Sequence, residues 1–407
     1  MAKRVLLVTA NVGSLFEQPS SLLHHWKQQF GDLLLYEKPD FFALHLQELG
    51  GKSNDLGRNS HLLETIIKFF FEHKALSMYT IGRAFMDQDH KDDELYTALG
   101  SIYLVHQSIA EQTEMFSFVE NQYVPVAPPK QVSINLEQCN FVDRQKFPIQ
   151  YFPQGKLSRK GFMRTMWSLG NMKMELSNIH LFHDDSNLRA LQSSPSDYAV
   201  FRRNALSYFL GKLDISVPSF IFGDFNFRTD TKALISYLIS EKRYALSKSI
   251  NKVSIDNEST EGENCNENVM EVEAKKFNLK FGWLKEKDFL RQFDTEVKAF
   301  PFLKELPADY LPTYPICEDS AMAYNNSRCP SWCDRVLFCP EASRMIDHSE
   351  PVAYKILGSD FPMGDHKPVY VAYSLRPELK NNLSPSNFRE PIAKNPNNLF
   401  ELNVNSY

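Results

Sequence analysis

The feature that most limits the fold is a set of short apolar runs, each closed by polar residues and separated by amphipathic stretches. "RVLLVTANVGS", "DFFALHLQELGG", "MKMELSNIHLFH", "FIFGDFNFRTD", "SWCDRVLFCP" and "KPVYVAYSL" all have this form. Continuous runs of this length read as strands buried on both faces. Between the first two, Leu22, Leu23, Trp26, Phe30 and Leu33 fall at helical spacing over residues 20–36, with Ser20 or Ser21 as candidate N-cap. "HLLETIIKFFFEH" and "DYAVFRRNALSYFLGKL" are two further helices, whereas "LYTALGSIYLVHQ" alternates like a strand. "KGFMRTMWSLG" and "MKMELSNIHLFH" follow each other as an antiparallel pair. Strands that interleave with helices yet also arrive as hairpins predict an α/β fold of mixed sheets with helices outside.

The 407 residues are 43% hydrophobic, enough for a large core, and no internal repeat divides them. A single catalytic domain is expected over residues 1–380. Residues 249–272 ("SINKVSIDNESTEGENCNENVM") are rich in Asn, Ser and Glu and are expected to form a flexible insertion. Residues 381–407, rich in Asn and Pro, are expected to be an extended or disordered tail. A net charge of −5 gives no support to a nucleic-acid partner, because phosphate-backbone affinity needs a strongly basic face. The six cysteines lack the paired spacing of a zinc site and read as free thiols of a reducing compartment. The N-terminal apolar run is too short for a signal peptide, and no run of about 18 apolar residues occurs. A cytoplasmic protein is expected.

The polar ends of the apolar runs carry the chemistry. The first run ends at Asn11, the second at Gln47-Glu48, the third at Asn178-x-His180 and the fourth at Asp224-x-Asn226; Asp365-His366 precedes the last. Each has a bland reading alone. Asn11 before Gly13 is turn chemistry, Glu48 before two glycines a solvated loop acid, and His180 a satisfied core histidine. Asp224 and Asn226 resist that reading, since period two puts both side chains on one side of a strand extension. If the sheets pack face to face, all five ends meet in one cleft. Carboxylates with an amide suit a hard, oxygen-preferring cation such as Mg²⁺. A further Asp can take a proton from water, and a His beside an Asp can stay protonated and donate to phosphoryl oxygens. These are the parts of metal-assisted phosphoester hydrolysis.

These residues resemble the signatures of the inositol polyphosphate 5-phosphatases. "FGDFNFR" (Phe222–Arg228) is similar to the first signature, "RCPSWCDRVL" (Arg328–Leu337) to the second, and "GDHKPV" (Gly364–Val369) to the Asp-His-Lys-Pro element. "LHLQEL", "SRKGFMRT" and "NIHLFH" fall in the same order, and spacing and length are most like the type I members. The resemblance covers about residues 4–375. It implies a four-layered α/β sandwich of two mixed sheets flanked by helices, shared with endonucleases. Glu48 would hold Mg²⁺ with Asn11 close by, and Asp224 would activate the attacking water that Asn226 places. His366 would bind the scissile phosphate with Asp365 supporting its imidazole, and His180, with Asn178 in the same element, would line that phosphate. Lys160, Arg328, Arg335 and Lys367 would bind substrate phosphates. Arg335 has an equal alternative as a buried arginine paired with Asp334 or Glu48, and Arg228 is expected in a structural ion pair.

Two departures bear on the substrate. Many members carry a lysine after "PTY", where this chain has Pro315, and no long apolar loop resembles the lipid-gripping segments of lipid-acting members. Both favour soluble inositol 1,4,5-trisphosphate and 1,3,4,5-tetrakisphosphate over phosphoinositides, and with them a role in ending Ca²⁺-mobilising signals. The competing readings are a phosphoinositide 5-phosphatase, an endonuclease of the same fold and a non-catalytic inositol phosphate binder. Type I members end in a prenylation box, whereas this chain ends "NVNSY". Either the sequence stops short or the anchor is lacking; a peripheral place at the plasma membrane stands as an alternative expectation to a purely cytoplasmic one, not encoded in this C-terminus.

Overall fold

Two sheets form from these runs. In the computed structural model, which describes residues 3–52, 55–90, 93–151, 158–214, 216–240, 244–249, 251–257, 268–279 and 287–376, the first run finds partners from both ends of the chain. Arg4–Asn11 pairs in parallel with Phe41–Gln47 and antiparallel with Val369–Ser374. The sheet order is Ala353–Ile356, Val369–Ser374, Arg4–Asn11, Phe41–Gln47, Gly100–His106, Tyr79–Met86, Gln131–Ser133. The second sheet runs Asp334–Phe338, Ser219–Asp224, Met172–His180, Gly161–Leu169, Thr113–Ser117, Gln122–Pro125, with Asp143–Lys146 also beside Gly161–Leu169. The expected antiparallel pair is present, turning at Gly170 with Leu169 opposite Met172.

Side-chain alternation sorts the apolar residues into layers. Val5, Leu7, Phe41 and Ala43 join Phe220, Phe222, Leu176 and Trp167 in a core between the sheets. Their neighbours Leu6, Val8, Phe42 and Leu44 face the other way, onto Leu22, Trp26 and Phe30 of helix Pro19–Glu37 and Ile66 and Phe70 of helix Leu56–Glu72. Across the second sheet, Ile179 and Ile221 meet Ala205, Leu206 and Phe209 of helix Asp197–Leu210. The order helix, sheet, sheet, helix is the four-layered sandwich. Gly100–His106 is buried on both faces rather than half exposed: Tyr103 and Val105 enter the inner core, Ile102 and Leu104 the helix side. The first long helix starts at Pro19, with Gln18 at the cap and no side-chain cap bond, so Ser20 and Ser21 lie inside its first turn. Among the described residues no helix is long and apolar enough to cross a membrane.

The 249–272 stretch corrects an expectation. Its described residues belong to a four-stranded antiparallel sheet, Tyr244–Lys248, Lys252–Asn257, Asn268–Glu273 and Phe277–Leu279. Ile255, Met270 and Val272 are buried in the main core, enough apolar anchoring to offset the ordering entropy of a polar segment. Asn187 Nδ2 donates to Glu273 O at 3.1 Å and Phe277 N to Asn326 O at 2.8 Å, fastening this sheet to the main body. Residues 258–267 and the expected tail 381–407 lie outside the described residues. Residues 3–376 fall within one compact unit.

Candidate active site

Strand register assembles the site before any loop is considered. Parallel pairing sets Asn11 opposite Gln47 and His180 opposite Asp224, and antiparallel pairing sets Asp224 opposite Asp334. Gly223 permits the close approach of its neighbouring strand: a Cβ there would stand 2.0 Å from Ile179 O. The strand stops at Asp224, and Asn226 adopts φ 51° instead of continuing it. Asn226 therefore reaches Asp224 by a turn, its backbone N–H donating to Asp224 Oδ1 at 2.9 Å and its Nδ2 to Oδ2 at 3.1 Å. The expected partnership holds, but through turn chemistry and not through strand period.

Asp224 is the most heavily bonded group of the cleft. Its Oδ2 also accepts from Asn11 Nδ2 at 3.1 Å and lies 3.3 Å from His180 Nε2. Burial alone would raise its pKa, yet the charge on His366, the His180 hydrogen bond and Lys160 outweigh that and hold it well below the usual range. Glu48 follows its strand at φ 59°, and its Oε2 and Asn11 Oδ1 both border Gly13. Its pKa is lowered to about 2: burial opposes, but Lys160, His180, Arg159 and His366 prevail. Lys160 Nζ lies 3.8 Å from Glu48 Oε1 and contacts the His180 ring. Burial and the Lys160 charge lower the pKa of His180, against the Asp224 hydrogen bond and the Asp224 and Glu48 charges, which raise it.

His366 is held differently from expectation. Its Nδ1 lies 2.9 Å from Asp334 Oδ2, which also accepts from Thr313 Oγ1 at 2.7 Å. Burial would lower the histidine pKa, but Asp334, then Asp224, raise it to about 10, so the ring is an imidazolium. Asp365 is turned elsewhere, accepting from Ser14 Oγ at 2.7 Å. The supporting carboxylate is thus Asp334, which sequence reading assigned no role beyond pairing Arg335. Its place at the end of the strand opposite Asp224 was the available signal.

Four expected phosphate ligands are otherwise engaged. Asn178 spans the two sheets, donating to Leu46 O and Gly100 O and accepting from Gln47. Arg335 is wholly buried, pairing with Asp294 and, at 3.0 Å, with Glu305, so neither Asp334 nor Glu48 is its partner. Lys367 points away, donating to Gly358 O at 2.9 Å and Phe361 O at 2.5 Å. Arg328 caps the carbonyls of Ser327 and Asp184. Lys160 alone of the expected cations contacts the cleft groups.

The donor set fits a hard cation. A Cβ placed on Gly13 would meet Glu48 Oε2 at 2.8 Å and Asn11 Oδ1 at 3.4 Å, so two oxygens converge where the backbone carries no side chain. Asp224, Asp334 and His366 also cluster within 4.8 Å of one another, but His366, as an imidazolium paired with Asp334, has no lone pair to give a metal. The described cysteines are free and lie in no such cluster.

A sandwich with carboxylates, amides and an imidazolium at its strand ends defines a hydrolase of the endonuclease/exonuclease/phosphatase class, and the profile of Endonuclease/Exonuclease/phosphatase family 2 matches residues 130–372. Human inositol polyphosphate-5-phosphatase A is 37% identical over 396 residues, spanning 92% of this chain and 93% of its own. A Caenorhabditis elegans probable type I inositol 1,4,5-trisphosphate 5-phosphatase is 31% identical over 412 residues, spanning 91% and 99%. The chain belongs to the inositol polyphosphate 5-phosphatase family and is a phosphatase. Its fold is similar to the 5-phosphatase domain of SPsynaptojanin, solved with inositol (1,4)-bisphosphate and calcium, at TM-score 0.50, 14% identity and coverage of 92% and 84%.

Proposed function

We propose that the protein removes the 5-phosphate of soluble inositol polyphosphates, inositol 1,4,5-trisphosphate and 1,3,4,5-tetrakisphosphate, with Mg²⁺, and so ends Ca²⁺-mobilising signals in the cytoplasm. The observation that carries this is the convergence of Glu48, Asn11, Asp224, Asn226 and the His366–Asp334 pair on one cleft. Glu48 and Asn11 would hold the cation, which when bound supplies charge to offset the phosphoryl oxygens. Asp224, kept ionised, accepts a hydrogen bond from the attacking water and aligns it. Asn226 and Asn11 fix the plane of that carboxylate. His366, kept protonated, donates to a phosphoryl oxygen, where charge builds in the transition state. Lys160 adds a second cation beside the same group.

Preference for soluble headgroups rests on Pro315, where many members of the family would carry a lysine that contacts a ring phosphate, together with the lack of a long apolar loop like the lipid-gripping segments. Phosphate release from soluble and lipid 5-phosphates, each with Mg²⁺ and with EDTA, tests the reading. Metal-dependent turnover of the soluble compounds, at least tenfold above the lipids, is expected. Equal turnover of lipids would overturn the substrate assignment.

A further inference from the structure

Arg228 closes the "GDFNFR" signature but pairs with no carboxylate among the described residues, contrary to the ion pair expected from sequence. Its side chain is buried, at 8% exposure. Glu296, which takes its backbone N–H at 2.9 Å, and Asp184 are both committed to Arg202. The guanidinium makes two contacts instead. Nη2 donates to Asn226 Oδ1, and Cζ lies 4.5 Å from the centroid of the Tyr314 ring. That ring in turn lies 4.5 Å from the His366 imidazole. Nε and Nη1 are buried without hydrogen-bond partners. A buried guanidinium with no anion and two idle donors is a costly arrangement, which calls for a reason beyond packing.

We propose that Arg228 is a positioning residue that sets the orientation of the Asn226 amide and, through it, of Asp224. A carboxamide can turn over within nearly the same volume. Here Oδ1 faces Arg228 while Nδ2 donates to Leu181 O at 3.0 Å and to Asp224 Oδ2 at 3.1 Å. Turned over, Oδ1 would oppose a carbonyl and a carboxylate, and Nδ2 would oppose a guanidinium. Arg228 is the member of this lock that holds the oxygen. Its remaining donors are closed off from solvent, so substrate does not touch them. Loss of Arg228 frees the amide, loosens the carboxylate that aligns water, and lowers kcat with little change in KM.

The inference rests on the phosphatase reading, and steady-state phosphate release from inositol 1,4,5-trisphosphate with Mg²⁺ separates the two. The proteins compared are wild type, Arg228→Met, Arg228→Ala, Asn226→Ala and the Arg228→Ala/Asn226→Ala double variant. Arg228→Ala is expected to lose about 10–100-fold in kcat, as for other orienting partners, with KM within about twofold. The double variant is expected to match Asn226→Ala within about twofold, since Arg228 acts only through Asn226. Added guanidinium ion is expected to restore part of the Arg228→Ala rate and none of the Asn226→Ala rate. Additive losses in the double variant, or a raised KM at unchanged kcat, would overturn the inference. Should Arg228→Ala fail to fold, Arg228→Met, which keeps bulk and removes the donor, decides: a wild-type melting curve with about tenfold lower kcat supports it, and full activity overturns it. An inactive wild-type protein would overturn the functional reading instead.

Discussion

Replacing Asp334 by Asn removes the charge that holds His366 protonated while keeping an oxygen in place to accept from its ring. At 2.9 Å and an effective dielectric of about 20, the attraction within the pair is about 6 kcal/mol. The lift of the histidine pKa from 6.5 to about 10 corresponds to about 5 kcal/mol at 1.36 kcal/mol per unit, a consistent size. Without Asp334 the burial that opposes the imidazolium prevails over the more distant carboxylates, and His366 titrates at or below its ordinary value. A group titrating at 6.5 is half protonated there and about 1% protonated at pH 8.5. The phosphate-release rate of Asp334→Asn is therefore expected to fall about fiftyfold between pH 6.5 and 8.5, relative to wild type over the same window. Stability follows the same sign. A histidine whose folded pKa lies above its unfolded one stabilises fully below pH 6.5 and loses that contribution as pH rises toward 10. Thermal melts should accordingly show the gap between wild type and variant narrowing across that interval. Parallel pH–rate profiles for the two proteins would refute the reasoning, because they would mean that Asp334 does not control the charge of His366.

Asp224→Asn is expected to lower Mg²⁺-dependent phosphate release at least about 10³-fold, since it removes the acceptor of the water's hydrogen bond, and to lower the melting temperature while unfolding stays cooperative, since an amide NH2 would face Asn11 Nδ2 or the Asn226 donors. Glu48→Gln should raise the Mg²⁺ concentration needed for half-maximal rate by about tenfold or more, read from a metal titration. Gly223→Ala puts a methyl group 2.0 Å from Ile179 O and is expected to destabilise by about 3 kcal/mol or more in denaturant melts. Lys367→Met should cost about 1–3 kcal/mol of stability by leaving the Gly358 and Phe361 carbonyls unpaired, with KM within twofold of wild type. A raised KM with unchanged stability would instead return Lys367 to the substrate.

The layers and cleft were legible because buried strands leave a continuous apolar record and their polar ends stand out against it. Side-chain direction was less legible. Asp365 adjoins His366 in sequence, yet it turns to Ser14, and the carboxylate that holds the imidazole comes from Asp334 on another strand. Arg335 and Lys367 sit inside signatures and carry the charge a phosphate would want. Their partners, Asp294 and Glu305 for one and two backbone carbonyls for the other, are set by tertiary packing that no local pattern records. The 249–272 stretch failed for the opposite reason. Val253, Ile255, Met270 and Val272 form alternating pairs too sparse to outweigh the surrounding Asn and Glu until tertiary packing, including helices Asn187–Ala190 and Thr231–Ser240 against their sheet, covers them.

The pairing of Arg4 with Ser374 and of Thr9 with Val369 gives the molecule a timetable. Synthesis at about 5–20 residues per second keeps the earliest strand without its antiparallel neighbour for about 20–70 s. Closing so long a loop makes the pairing slow even then. His366 is delivered three residues before that last strand. A nascent chain arrested upstream of residue 366 thus exposes an unsatisfied sheet edge and lacks the His366 imidazolium. Turnover can begin only once residue 374 has been made, so no copy stopped before it acts on inositol phosphates.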